Sequence, residues 1–335
     1  MQFPGQGKPP AGIIFDTDMG VRIDDVLALA LLYGFDGRNE ARVVSLSVSY
    51  PNLKAAALCE VIGRFYAGAV SGAFASVGRT LPVGLAVKGQ MAPDTPMLTG
   101  PLSKTTDKGD PAYAHGIQKL TDTAEVPALI RNAFTSQYDD NCVAVAAGPA
   151  TNFAAVLSLP GIQDLITRKV RFLCISAGQS GFSADIPAAR RLFAEWPTPI
   201  IACGDEIGQA VPFPAVSIEK DFAWSPAHPV VDAYRAYKTM PYDAPTTDMA
   251  AVLYAVRAKD GFFSLSEPGT IAISDDGTMR LTPSAGGKHR YLIVDPAQKD
   301  RILKTYIEIA SAKPVPRQPR FRRPLPPPKP DQKKQ

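Results

Sequence analysis

Residues Ala11–Phe35 read AGIIFDTDMGVRIDDVLALALLYGF. The apolar run Ile13-Ile14-Phe15 predicts a buried strand, and VLALALLYGF is apolar enough for a buried helix. Between them stand Asp16, Asp18, Asp24 and Asp25, four carboxylates within ten residues. Strand, acidic loop and helix make the opening unit of an open α/β sheet, whose ligand crevice lies at the carboxyl ends of the strands. Four clustered carboxylates repel one another and are best stabilised by a cation. An all-oxygen donor set selects a hard one, Ca²⁺ or Mg²⁺. Gly20 lets the backbone fold tightly around such an ion. The plainer reading, a polar loop with Asp24 as helix N-cap, accounts for one of the four carboxylates.

The stretch resembles the signature of the nucleoside hydrolase family, the inosine-uridine-preferring N-ribohydrolases. That signature is a strand, Asp-x-Asp-x-Gly, a short step, Asp-Asp and an apolar helix. Here it reads Asp16-Thr17-Asp18-Met19-Gly20, then Val21-Arg22-Ile23, then Asp24-Asp25. One branch of the family has a loop of this length, usually with Asn-Asp-Val/Ile where this chain has Val-Arg-Ile. Two later stretches extend the resemblance. Gly148-Pro149-Ala150-Thr151-Asn152 follows an apolar strand at 141–147 and matches the family's Gly-Pro-Leu-Thr-Asn except at Leu. Asp248, in YDAPTTDMAAVLYAV (Tyr242–Val256), opens an apolar helix in a similar way to the family's distal Asp. The resemblance spans about residues 11 to 300 and is specific at three separate loops.

The resemblance implies an open, mostly parallel, Rossmann-like α/β sheet with helices on both faces and a small antiparallel addition near the C-terminus. It implies Ca²⁺-dependent hydrolysis of the N-glycosidic bond of a nucleoside or related riboside, a place in purine or pyrimidine salvage, and a homo-oligomer. Residue by residue, it makes Asp18 a calcium ligand and the general base. Asp25 becomes a bidentate ligand, with Asp248 and the Thr151 carbonyl as further ligands. Asp16 orients the cluster or touches the metal, and Asp24 accepts a hydrogen bond from a sugar hydroxyl. Asn52, at the exit of the second strand, is either a ribose contact or a turn residue.

The sequence departs from the family at two places. After the strand at 169–177 the family has a Glu and an Asn that bind sugar hydroxyls, just before an Asp-Pro-Glu-Ala-Ala helix start. Asp185 and Ala188-Ala189 keep the helix start, but Gln179 and Gly181 take the places of Glu and Asn. Gln179 remains a candidate sugar contact. Thr247 precedes Asp248 where some members carry a His that protonates the leaving base. His115 is either a replacement acid or a surface-loop histidine. Two other classes stay open. A non-catalytic calcium- or ribose-binding relative is motivated by the altered sugar positions. A haloacid-dehalogenase-like phosphatase would use Asp16 as nucleophile with Mg²⁺. It conflicts with Gly20 two residues after Asp18, and with Gln209 and Ala210 where an acid should follow Gly204-Asp205.

The bulk properties narrow the rest. At 335 residues the chain can bury a substantial core. The expected organisation is a lead-in at 1–10, one domain at 11–312 and a disordered Pro-rich basic tail at 313–335. That tail holds eight Lys/Arg, one Asp and eight Pro. Its net +7 exceeds the +4 of the whole chain, so residues 1–312 are mildly acidic and give no case for nucleic-acid binding. No apolar run reaches 18 residues, so no membrane span is expected. The N-terminus lacks the basic-then-apolar pattern of a signal peptide, which points to the cytoplasm. Cys59, Cys142, Cys174 and Cys203 are widely spaced in apolar contexts and read as buried free thiols. Asp275-Asp276-Gly277 reads as a hairpin turn.

Overall fold

The computed structural model describes residues 9–67, 81–176 and 182–314. In chain order the first half runs β1 (Ala11–Thr17), α1 (Ile23–Gly37), β2 (Ala41–Val48), α2 (Leu53–Ala67), β3 (Val83–Leu85), α3 (Pro96–Ser103), α4 (Val126–Ser136), β4 (Cys142–Ala147), α5 (Thr151–Val156) and α6 (Ile162–Lys169). The second half runs β5 (Val170–Ser176), α7 (Ile186–Glu195), β6 (Ile200–Cys203), α8 (Asp205–Ala210), α9 (Ala215–Lys220), α10 (Pro229–Tyr237) and α11 (Thr247–Arg257). It closes with β7 (Ser264–Leu265), β8 (Gly269–Ile273), β9 (Met279–Pro283), β10 (His289–Ile293) and α12 (Lys299–Ala310).

The strands form one mixed sheet in the order β3-β2-β1-β4-β5-β6-β10-β8-β9, with β7 on β10. From β3 through β10 every neighbouring pair is parallel. Strands buried on both faces explain the near-continuous apolar runs such as Cys142–Ala147, in which every residue is buried. Alternation along β1 divides the core in two. Ile13 and Phe15 point to a layer with α1, α2, α11 and α12, whereas Ile14 points to a layer with α4, α5 and α7.

The expected antiparallel addition is present. The hairpin β8–β9 turns at Asp275-Asp276-Gly277, where Gly277 has a φ of +85°. β10 is antiparallel to β8 and β7 yet parallel to β6, so it joins this addition to the main sheet. All four cysteines are buried and free. Among the described residues no helix is long and apolar enough to cross a membrane.

The chain winds outward from β1 through β2 to β3, then returns to β4 on the other side of β1. The sheet order therefore reverses between β1 and β4, and a crevice opens at their carboxyl ends. α1 begins at Ile23 with Arg22 as its N-cap, so both Asp24 and Asp25 lie inside its first turn and Asp24 is not the cap. Acidic side chains there face the positive end of the helix dipole. Val26 through Leu32 are fully buried, which fixes α1 against the sheet and holds that first turn at the crevice.

Candidate active site

The crevice is assembled from four stretches. β1 delivers Asp16 and, just past its end, Asp18; α1 delivers Asp24 and Asp25, the start of α5 after β4 delivers Thr151 and Asn152, and α11 delivers Asp248. Carboxylate oxygens of Asp24, Asp25 and Asp248 all come within 4.8 Å of one another, and all three residues are buried. Asp248 Oδ1 accepts from the Ser176 hydroxyl at 2.5 Å, and its backbone N–H reaches Asp24 Oδ2 at 3.4 Å. Asp25 Oδ1 accepts from the Thr17 hydroxyl at 2.5 Å. Asp24 Oδ1 and Asp248 Oδ2 are buried with no hydrogen-bond donor. Orphaned buried carboxylate oxygens are costly unless a cation satisfies them. This group of oxygens can hold a metal ion.

Asp18 stands at the rim, half-buried, where its backbone N–H donates to the Ala147 carbonyl at 2.8 Å. Gly148 packs on it: a Cβ at that glycine would lie 2.9 Å from the Asp18 Cβ, and its φ of +145° is closed to ordinary side chains. Burial, then the charge of Asp248, push the Asp18 carboxyl up to about 7. Burial and neighbouring carboxylates likewise raise Asp24 and Asp25 well above the usual range. These are the shifts expected of carboxylates crowded out of water.

Asp16 lies apart from this cluster. Its oxygens accept from Ser47 at 2.5 Å, Ser49 at 2.6 Å and the Asn152 amide at 2.7 Å. Burial raises it to about 6 against the opposing pull of these donors. Asn152 also donates to the Val48 carbonyl, tying the loop after β4 to the ends of β1 and β2. Thr151 opens α5, and its hydroxyl donates to Asp185 at 2.7 Å. Asp185 in turn caps α7 through the Ala188 N–H, as its place in the sequence predicted. Thr151 and Asn152 also wall a cavity of 370 Å³ whose remaining lining includes Leu85, Val87, Val126 and Pro127.

The other predicted residues fall as follows. Asn52 is buried and holds its own surroundings: its oxygen caps α2 through the N–H groups of Lys54 and Ala55, and its amide donates to Ala92, Pro93 and Asp94. Thr247 is fully buried, with its hydroxyl 3.3 Å from Asp205 Oδ1. The His115 ring contacts the Ile117 carbonyl and Gln118 of its own loop. Gln179 and Gly181 lie outside the described residues.

Three residues of the crevice escaped the sequence reading. Arg22 reaches into it: its Nε lies 3.4 Å from Asp24, Nη2 lies 3.6 Å from Asp248, and Nη1 donates to Asp205 at 3.0 Å. Its position between two acidic pairs of the motif was the available signal. Tyr50 and Tyr237 stand in the field of the cluster. Burial, then Asp18 and Asp25, raise Tyr50 to about 12, and burial, then Asp24, raise Tyr237. Both phenols stay protonated at neutral pH and can donate.

An open parallel sheet with a carboxylate cluster at its topological switch point defines a class of α/β ligand-binding and hydrolytic proteins. Within that class, the family model described as inosine-uridine preferring nucleoside hydrolase matches residues 13–304, and the chain belongs to that family. Among curated proteins no match is found. Solved structures repeat the fold at low identity. The plant nucleoside hydrolase PpNRh1 aligns with a TM-score of 0.64 at 19% identity, over 91% of this chain and 100% of that one. A purine-preferring ribonucleoside hydrolase from Gardnerella vaginalis gives 0.63 at 17%, over 90% and 98%. The type III effector protein XopQ, complexed with adenosine diphosphate ribose, gives 0.61 at 14%, over 91% and 95%.

Proposed function

We propose that this protein hydrolyses the N-glycosidic bond of a ribonucleoside or related N-riboside in a calcium-dependent reaction, releasing base and free sugar. The observation that carries the reading is the convergence of Asp18, Asp24, Asp25 and Asp248 from three separate stretches of chain on one crevice. The donor set suits a hard dication, since it is all oxygen and leaves the buried Asp248 Oδ2 without a donor. Asp18, Asp25, Asp248 and the Thr151 carbonyl would hold Ca²⁺, with Asp16 behind them. A bound ion there would supply Lewis acidity and a template for vicinal hydroxyls.

The protein's own groups do the remaining work. Asp18, raised to about 7, is placed to take a proton from the attacking water as the sugar gains oxocarbenium character. Asp24 accepts a hydrogen bond from a sugar hydroxyl. Gln179 contacts the sugar, as would Asn52 on exchanging one of its present partners. The protein acts as a homo-oligomer, and its substrate is a small riboside rather than nucleic acid.

A second reading, riboside binding without turnover, draws on Arg22, whose guanidinium already compensates part of the cluster's charge. The test is release of reducing sugar from p-nitrophenyl riboside and inosine in the presence of CaCl₂. Release that stops in EGTA and in Asp18→Ala supports the hydrolase. Calorimetric binding of the riboside with no release supports the second reading.

A further inference from the structure

The Arg22 side chain is the unexpected occupant of the crevice. It projects from the N-cap of α1, one residue before the apolar Ile23 and two before Asp24. It makes ion pairs with two of the three carboxylates that converge, Asp24 at 3.4 Å and Asp248 at 3.6 Å. Neither contact satisfies the carboxylates: Asp24 Oδ1 and Asp248 Oδ2 remain without hydrogen-bond donors. The short contact lies on the outer side, where Arg22 Nη1 donates to Asp205 Oδ1 at 3.0 Å. Asp205 is the first residue of α8 and also accepts from the Thr247 hydroxyl. The guanidinium thus bridges two sets of carboxylates, at hydrogen-bond distance from Asp205 and at ion-pair distance from the cluster.

We propose that Arg22 is a tethered counter-ion that competes with the divalent cation for the cluster, and that Asp205 is the partner to which it withdraws when the cation enters. The inference rests on the metal-dependent reading above and adds its regulation. The reasoning is electrostatic. Asp24, Asp25 and Asp248 crowd together out of water, and a cluster of that kind needs positive charge to persist. Arg22 supplies one charge, permanently and without dissociating. A dication placed among the same oxygens would stand within a few ångströms of the guanidinium and repel it. Cation binding therefore carries the cost of moving Arg22 aside. Asp205 makes that movement feasible, because it keeps the displaced guanidinium paired at the rim, where the side chain is about one-quarter exposed. The site is consequently stable while empty and fills at a higher cation concentration than its carboxylate count alone would set.

The test uses the full-length protein freed of metal with EGTA, Ca²⁺ alone as titrant, and calorimetry together with thermal melting. Arg22→Gln is expected to bind Ca²⁺ roughly 10-fold more tightly or better than wild type. Without metal, its melting temperature should be lower than that of wild type. Asp205→Asn should move affinity the other way, because Arg22 then has no second partner and stays on the cluster. In an Arg22→Gln background the same Asp205→Asn change should have a smaller effect, since the cycle isolates the coupling between the two. Equal or weaker binding by Arg22→Gln overturns the competition while leaving a metal site in place. An Asp205→Asn loss of the same size in both backgrounds overturns the withdrawal partner. No uptake of Ca²⁺ by wild type or by either variant overturns the metal-dependent reading and the competition with it.

Discussion

The side-chain amide of Asn152 donates to Asp16 Oδ1 at 2.7 Å, joining the loop after β4 to a carboxylate on β1 in the interior of the sheet. The same amide reaches the Val48 carbonyl at 3.1 Å, so one side chain fastens three strand ends. With Ser47 and Ser49 it surrounds Asp16 with donors, which lets a buried carboxylate stay close to ionisation at neutral pH. Asn152→Ala removes a charge-assisted bond and leaves both acceptors short of a donor. The expected loss is about 2 kcal/mol of unfolding free energy by urea denaturation. Asn152→Asp should cost more, because it sets a second carboxylate against the first. A loss within error of zero for both variants would show that water replaces the amide.

Much of this arrangement was legible in the chain. The apolar strand, acidic loop and apolar helix at 11–35 announced the parallel sheet because each element is punctuated by its own chemistry. Asp248 and Thr151 were picked out by their resemblance to family motifs, and the fold sets both in the first turns of helices, α11 and α5. The role of Asn152 was not, since nothing in Gly-Pro-Ala-Thr-Asn says whether its amide turns outward to ligand or inward to Asp16. That depends on where β1 lies in the sheet, a non-local fact. Arg22, Tyr50 and Tyr237 were missed for the same reason: each matters through neighbours far away in sequence. The plainer reading of Asp24 as a helix cap fails because tertiary packing starts the helix earlier, at Ile23.

Gly148 supplies a sharp test of how Asp18 is positioned. At Gly148 both space and backbone exclude a methyl group, with a φ of +145° and a Cβ only 2.9 Å from that of Asp18. Gly161 has a φ of +68° but open space around it. Gly148→Ala and Gly161→Ala should each lose on the order of 1–3 kcal/mol of stability from backbone strain. Only Gly148→Ala should also lower kcat for riboside hydrolysis, because only there must the carboxylate move. Equal kinetics in the two variants would sever the link between the glycine and the base.

His228 links stability to pH. It is buried among Phe65, Tyr66, Phe222 and Trp224, and neither ring nitrogen has a hydrogen-bond partner. Burial lowers its pKa from 6.5 to about 4, with Asp232 opposing weakly from the next turn of α10. The imidazole is therefore neutral in the folded protein, whereas the unfolded chain takes up a proton below pH 6.5. Its contribution to stability is full above that pH, falls as pH drops, and is lost by about pH 4. The span corresponds to about 3 kcal/mol. His228→Phe should remove this dependence. The stability gap between variant and wild type should be constant from pH 7 to 8 and shift in the variant's favour from pH 6.5 to 4.5. A gap that does not change with pH would mean that the ring titrates alike in the folded and unfolded states.

The final prediction separates the two halves of the proposed reaction. In that reaction attack on the sugar would depend on Asp18, and departure of the base on a proton donor. Thr247 is engaged with Asp205, so it does not replace the imidazole used by some family members. Of the two phenols in the field of the cluster, Tyr237 is the candidate donor: it sits at the end of α10, is 38% exposed, and is kept protonated by burial and the Asp24 charge. Nitrophenolate leaves without a proton, whereas hypoxanthine does not leave readily. Turnover of p-nitrophenyl riboside should therefore exceed that of inosine. Tyr237→Phe should slow inosine by roughly 10² while leaving the nitrophenyl rate unchanged. If the sugar grip at Gln179 and Gly181 is the weaker half, both substrates should instead show high KM. Gln179→Glu combined with Gly181→Asn should then lower KM for both. A Tyr237→Phe variant that slows the two substrates equally would place the phenol in sugar binding or in folding, and not at the leaving group.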